Sequence, residues 1–198
     1  MQSISLTNTY YALRHGQSQA NLEHTIGSEF QKHKNVPLTD LGKTQAQQAG
    51  QKIKERLGLN FIIVSSDYAR AYQTAEIVAK ACGINPKKIQ KDLRLRDRSF
   101  GDYNGTSTDN LDLTWERDKT DPTHKTNHVE SVVEVLVRTT SLIEALEETY
   151  TNKTILLVSH GDTLTILETA FKQVPPETFK SLTIFGNAEL RKLEPTQT

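Results

Sequence analysis

The chain has 198 residues, with 24 Lys and Arg against 24 Asp and Glu and a sequence pI near 7.0. That length suits one domain with a full core, and the balanced charge excludes the broad basic field of a nucleic-acid or anionic-membrane binder. A single cysteine, Cys82, excludes an internal disulfide framework and fits a reducing compartment.

The N-terminal residues Met1 to Asn8 lack the charged and apolar blocks of a signal peptide. No apolar run is long enough to cross a bilayer. The expectation is a cytoplasmic protein with no membrane and no nucleic-acid partner.

In chain order, Tyr10 to Leu13 reads as a weak strand. Thr39 or Asp40 can cap a helix that runs to about Leu57 and is closed by Gly58. Phe61 to Val64 is a short apolar run of the kind buried on both faces of a parallel sheet. Asp67 to Cys82 follows as a helix stopped by Gly83 and Pro86, with Cys82 on its apolar side as a core residue. Gly101 to Asn127 is polar and aromatic-poor, a lid or irregular insertion at about 101–127 rather than a second domain.

Val129 to Tyr150 repeats apolar residues at three- and four-residue steps, the stripe of an amphipathic helix. Thr154 to Val158 is the next strand, and Gly161 to about Lys172 the last major helix, ahead of Pro175-Pro176. Leu182–Phe185 and Glu189–Leu193 add short strands that can form an antiparallel edge. Alternation of strands and helices predicts a single α/β domain over residues 1–198, a three-layer sandwich with a mixed, mostly parallel central sheet.

Active residues of such sheets gather beyond the carboxyl ends of the strands. The first strand is followed by Arg14-His15-Gly16, the second by Ser65-Ser66 and Arg70, and the last core strand by Ser159-His160-Gly161. Two arginines and two histidines therefore converge at one edge. Arginine's fork matches phosphate oxygens in pairs, and helix N-termini add backbone donors. The pattern is that of a phosphate pocket.

Five blocks in order resemble the histidine phosphatase superfamily, also called phosphoglycerate-mutase-like: Arg14-His15-Gly16, Pro37-Leu38-Thr39-Asp40-Leu41-Gly42, Ser66 to Glu76, Arg94 to Gly105, and Ser159-His160-Gly161. The resemblance covers roughly residues 10 to 190. It implies phosphomonoester hydrolysis without metal or other cofactor, through a phosphohistidine on His15. It further implies that Arg14, Arg70, His160 and Asn21 bind the phosphoryl oxygens, with Gly161 beside them. Asp97 falls where the family places the acid that protonates the leaving oxygen. Gln17 stands where Glu is common, Asp97 is shorter than Glu, Val129 replaces a Gly, and the Leu22–Val36 loop lacks the family's Arg and Gln contacts.

Other readings are weaker. Asp97 lies among Arg94, Arg96 and Arg98, so a surface ion-pair cluster is its alternative. His124 and His128, four residues apart, read as a solvated pair because no third metal ligand has convincing spacing. Gly42-Lys43-Thr44 lacks the first glycine and the preceding strand of a P-loop, and Gly16-Gln17-Ser18-Gln19-Ala20 ends in Ala where a nucleophile elbow needs Gly. A phosphoglycerate-type mutase and a non-catalytic phospholigand-binding or scaffold protein remain as alternatives to a phosphatase. The partner is a small phosphorylated substrate whose identity the sequence leaves open, and oligomeric state has no signature.

Overall fold

The computed structural model describes residues 6–195. Its elements are β1 (Thr9–Arg14), α1 (Gln19–Leu22), α2 (Phe30–His33), α3 (Asp40–Leu57), β2 (Ile62–Ser65), α4 (Ala69–Ala81), β3 (Gln90–Lys91), α5 (Leu111–Asp118), α6 (Val132–Thr149), β4 (Thr154–Ser159), α7 (Gly161–Lys172) and β5 (Leu190–Leu193), joined in places by 3₁₀ turns. No described helix is long and apolar enough to cross a membrane.

The strands form one sheet in the order β3-β2-β4-β1-β5. β1, β2, β3 and β4 pair in parallel and β5 runs antiparallel to β1. Side chains alternate across the sheet, as strand geometry demands. Tyr10, Ala12, Ile155 and Leu157 pack with Leu142 and Ile143 of α6 and Leu164, Leu167 and Phe171 of α7. Tyr11, Leu13, Leu156 and Val158 pack on the other face with Ala49 and Ile53 of α3 and Ala71, Ala75 and Val78 of α4. The result is the three-layer α/β sandwich with a mixed, mostly parallel sheet. Cys82 is buried in the second of these clusters, a core residue as read.

The helices begin where their caps place them. Thr39 accepts from the Gly42 amide and starts α3. Ser131 and Glu134 form a capping box, so α6 starts at Val132, three residues past the start that its apolar stripe suggested. α4 begins at Ala69 rather than Asp67, because Tyr68 is still extended and its amide is taken by Ser66 Oγ.

Two readings need correction, and one strand has no counterpart among them. Leu182–Phe185 is not a strand; it is irregular, and the Phe185 carbonyl accepts from Arg14 Nη1 at 2.6 Å. β3 is a two-residue edge strand, too short to leave a hydropathy pattern. The 101–127 segment is not irregular throughout, since it contains the eight-residue helix α5.

One close approach positions the site. A β-carbon on Gly42 would lie 2.0 Å from the Gln17 carbonyl oxygen, and one on Gly16 would lie 2.3 Å from the Gly42 carbonyl oxygen. The start of α3 therefore presses directly on the loop that leaves β1, which accounts for both glycines in their motifs.

Candidate active site

β1 and β4 are neighbours with Arg14 paired to Ser159, so the next residues, His15 and His160, leave the sheet side by side. Their rings meet edge to face with centroids 5.1 Å apart. Arg70 enters from the first turn of α4, after β2. Asp97 arrives on the segment after β3, which is anchored to the sheet by Ser159 Oγ donating to the Leu95 carbonyl at 2.6 Å and to α7 by Thr163 Oγ1 donating to the Arg96 carbonyl at 3.0 Å.

The tautomer of His15 follows from its surroundings. Nδ1 lies 2.7 Å from the Gly16 carbonyl oxygen, which can only accept, so Nδ1 carries the proton and Nε2 keeps a lone pair. Burial, then the charges of Arg70 and Arg14, hold its pKa well below the ordinary histidine value. His15 is therefore a neutral imidazole at neutral pH, the form able to attack.

His160 is buried for similar reasons, and burial followed by the Arg70 charge holds its pKa well below the ordinary value. Its Nε2 is 3.0 Å from Ser66 Oγ, which already accepts from the Tyr68 amide and so has its O–H to give. That pairing leaves the ring proton on Nδ1, which is 3.6 Å from Asp97 Oδ2.

Arg70 Nη2 donates to Asp97 Oδ2 at 2.9 Å and to the Gly27 carbonyl at 3.0 Å. Burial raises the Asp97 pKa above the usual carboxylate range, with Arg70 and Arg14 opposing and Asp162 reinforcing. The neighbouring arginines have other partners: Arg94 pairs with Asp92, Arg96 with Asp67 and Arg98 with Asp118. Asp97 is therefore not the centre of a surface cluster with its sequence neighbours.

Six buried side-chain polar atoms have no hydrogen-bond partner among the described residues, and three of them, Arg14 Nε, Arg70 Nη1 and His160 Nδ1, belong to this site; the others are on His33, Thr114 and His124. Buried polar groups are ordinarily matched, and a charged one left alone is costly. Arg14, His15, Asn21, Arg70, Asp97 and Gly161 line one cavity of about 210 Å³. His160 stands behind it, against His15. Asn21 Oδ1 is occupied by the Ser18 amide and hydroxyl at 3.1 Å, so the group it can offer a ligand is its NH₂. Gly161 opens α7, whose positive end meets the cavity beside Arg14.

The reading of His124 and His128 as a solvated pair is corrected. His124 is buried with Nε2 2.9 Å from Asp118, while His128 is exposed and reaches Asp102. The two therefore serve different acids. Among the described residues no cluster of three His, Cys, Asp or Glu side chains has the arrangement of a metal site.

Several lining residues escaped the sequence reading. Ile26, Gly27 and Ser28 come from the Leu22–Val36 loop, Leu111 and Trp115 from α5, and Asp162 from the first turn of α7. Asp162 directly follows His160-Gly161, so its motif was the one available signal. Trp115 is nearly fifty residues away and had none.

The family model of the histidine phosphatase superfamily, branch 1, matches residues 10–198. Glucosyl-3-phosphoglycerate phosphatase of Mycobacterium tuberculosis is 31% identical over 196 residues, covering 91% of this chain and 82% of that protein. A probable phosphoglycerate mutase of Escherichia coli is 35% identical over 170 residues, covering 83% of this chain and 75% of the other. A solved structure of mycobacterial glucosyl-3-phosphoglycerate phosphatase in complex with VO3 superposes with a TM-score of 0.78 at 28% identity, over 92% of this chain and 90% of that one.

Proposed function

The chain belongs to the histidine phosphatase superfamily and is a phosphomonoester hydrolase; from that premise we propose that it works through a phosphohistidine formed on Nε2 of His15. The substrate is a small phosphorylated metabolite, in keeping with the relatives' names. The observation that carries this reading is that Arg14 and Arg70, each with a buried donor left unpartnered, line one cavity with a neutral His15, whose ring meets that of His160.

In the first step Nε2 attacks phosphorus in line with the ester oxygen. The P–O bond breaks as the P–N bond forms, and the Asp97 carboxyl gives its proton to the leaving alkoxide. Arg14, Arg70, His160 and the Asn21 amide hold the three spectator oxygens, whose charge is greatest in the transition state. In the second step the Asp97 carboxylate takes a proton from water as the water oxygen attacks phosphorus. His15 leaves with its lone pair, and inorganic phosphate departs. Both arginines supply the positive charge, so no metal is invoked.

We take residues 1–198 as a single domain, and the lone buried thiol of Cys82 supports a cytoplasmic location. Brief incubation with a labelled phosphate ester followed by alkaline quenching tests the mechanism. Acid-labile, base-stable label should map to the His15 peptide and vanish in His15→Ala; label on Ser18 overturns it. With 3-phosphoglycerate the enzyme should release phosphate or leave it untouched. Rapid formation of 2-phosphoglycerate, stimulated by the bisphosphate, would make it a mutase.

A further inference from the structure

Outside its phosphoryl-binding end the cavity has a different character. Its wall there includes Ile26, Phe100, Leu111, Trp115 and Ile184, together with the carboxylate of Asp162. Trp115 Nε1 donates to Asp162 Oδ2 at 2.8 Å, which holds the indole of α5 against the first turn of α7.

That carboxylate has charged neighbours of both signs. Arg98 is fully buried and grips Asp118 with two bonds of 2.6 and 2.8 Å, while its Nη1 is 3.9 Å from Asp162 Oδ2. One guanidinium thus serves two carboxylates, and the hydrogen bond that Asp162 accepts comes from a neutral indole rather than from a cation. Lys180, whose charge also acts on Asp162, has its ammonium 3.1 Å from the centre of the Trp115 ring, in an adjoining hollow that also contains Asp112, Glu116, Lys119 and Glu177. The cations that line the cavity itself, Arg14 and Arg70, belong to the phosphoryl end.

We propose that Asp162 is a specificity-determining residue: the enzyme takes phosphomonoesters whose leaving group has an apolar face for Trp115 and no further negative charge, and Asp162 rejects those bearing a carboxylate or second phosphate. The proposal rests on the phosphatase reading of the same site. A second anion on the leaving group would face Asp162 within a partly closed cavity, where salt screens poorly.

The test uses p-nitrophenyl phosphate as reporter and compares competitive inhibition by glycerol 3-phosphate and 3-phosphoglycerate. These two differ in having a hydroxymethyl group or a carboxylate at one carbon. The wild-type protein should bind glycerol 3-phosphate on the order of tenfold or more tightly than 3-phosphoglycerate, a factor in keeping with like charges a few ångströms apart. Asp162→Asn keeps an oxygen to accept from Trp115 and removes the charge, so the ratio should collapse towards one. Equal inhibition of the wild type by both esters, including none by either, overturns the proposal, as does a ratio that Asp162→Asn leaves unchanged. If p-nitrophenyl phosphate is not hydrolysed in a His15-dependent way, the phosphatase reading fails and the proposal with it. Hydrolysis with equal inhibition sinks the proposal alone.

Discussion

Arg70 Nη2 and Asp97 Oδ2 stand 2.9 Å apart, so the residue assigned as acid is held by one of the cations assigned to phosphate. The pairing opposes the acid's task, because a neighbouring cation favours the carboxylate. Burial is the larger influence, and the net direction is upward. When a phosphoryl group occupies the cavity, its oxygens draw on Arg70 and place negative charge beside Asp97, which moves the carboxyl further towards its protonated form.

This arrangement predicts a leaving-group signature for Asp97→Asn. An alkyl phosphate expels a strong base and needs the proton, so activity on it should fall roughly 10²–10⁴-fold. The nitrophenolate ion is a weak base and hardly needs it, so p-nitrophenyl phosphate should lose far less. Steady-state kcat on both esters decides the matter. Equal losses would make Asp97 a holder of Arg70 rather than a proton donor.

The same groups set the pH dependence. His15 must be unprotonated to attack, and its lowered pKa moves the acid limb of kcat below the ordinary histidine range. Asp97 must be protonated to donate, and its raised pKa moves the alkaline limb above the ordinary carboxylate range. Activity should therefore be a bell that persists into mildly acid pH. Since the Asp162 charge helps raise Asp97, Asp162→Asn should shift the alkaline limb to lower pH. A limb that stays put, or moves upward, would remove Asp162 from this role.

Much of this site was legible because its residues sit at strand ends in short, ordered motifs. Arg14, His15, Arg70 and His160 could be brought together from strand–helix alternation alone, and the cavity contains or abuts all four. The wall that meets the leaving group was not legible. Trp115 lies on α5, a short helix within a polar segment, and reaches Asp162 through a single hydrogen bond between residues 47 apart. Ser28, which accepts from the Phe100 amide and donates to Asn104, ties two loops whose sequences carry no periodicity. Strand Leu182–Phe185 was misread because an apolar run beside the sheet looks the same whether it pairs or merely packs, as the buried Phe185 does.

The contact between Gly16 and Gly42 gives a stability prediction with a functional consequence. In Gly42→Ala the new methyl would sit 2.0 Å from the Gln17 carbonyl, a backbone atom that no rotamer change can move. Either α3 retreats or the loop after His15 shifts. Overpacking of this kind costs about 1–3 kcal/mol, and denaturant unfolding should show a loss of that size. kcat should fall as well, since Gly16 holds the Nδ1 proton of His15 through its carbonyl. Full activity at unchanged stability would mean that the two loops can separate freely.

The buried pair of Arg98 and Asp118 carries the last prediction. Both side chains are fully buried, and Asp118 also meets His124 Nε2 at 2.9 Å. Arg98 adjoins Asp97 in sequence, and its Nε donates to the Glu130 carbonyl at 2.8 Å. Asp118 ends α5, the helix that carries Trp115. The pair thus fastens the cavity's aromatic wall to the segment bearing the acid. Removing one partner leaves a charge buried without its counterion, so Asp118→Asn should cost about 3–5 kcal/mol. Replacing both, as in Arg98→Met with Asp118→Leu, removes the desolvation cost as well and should recover a large part of that loss. Urea unfolding of Arg98→Met, Asp118→Leu and the double variant measures the coupling. The kinetic readout separates stability from positioning: the double variant should regain its fold yet keep a raised KM, because Trp115 is no longer fixed. A double variant as unstable as the singles, or one with wild-type KM, would show that the pair does not fasten α5 to the site.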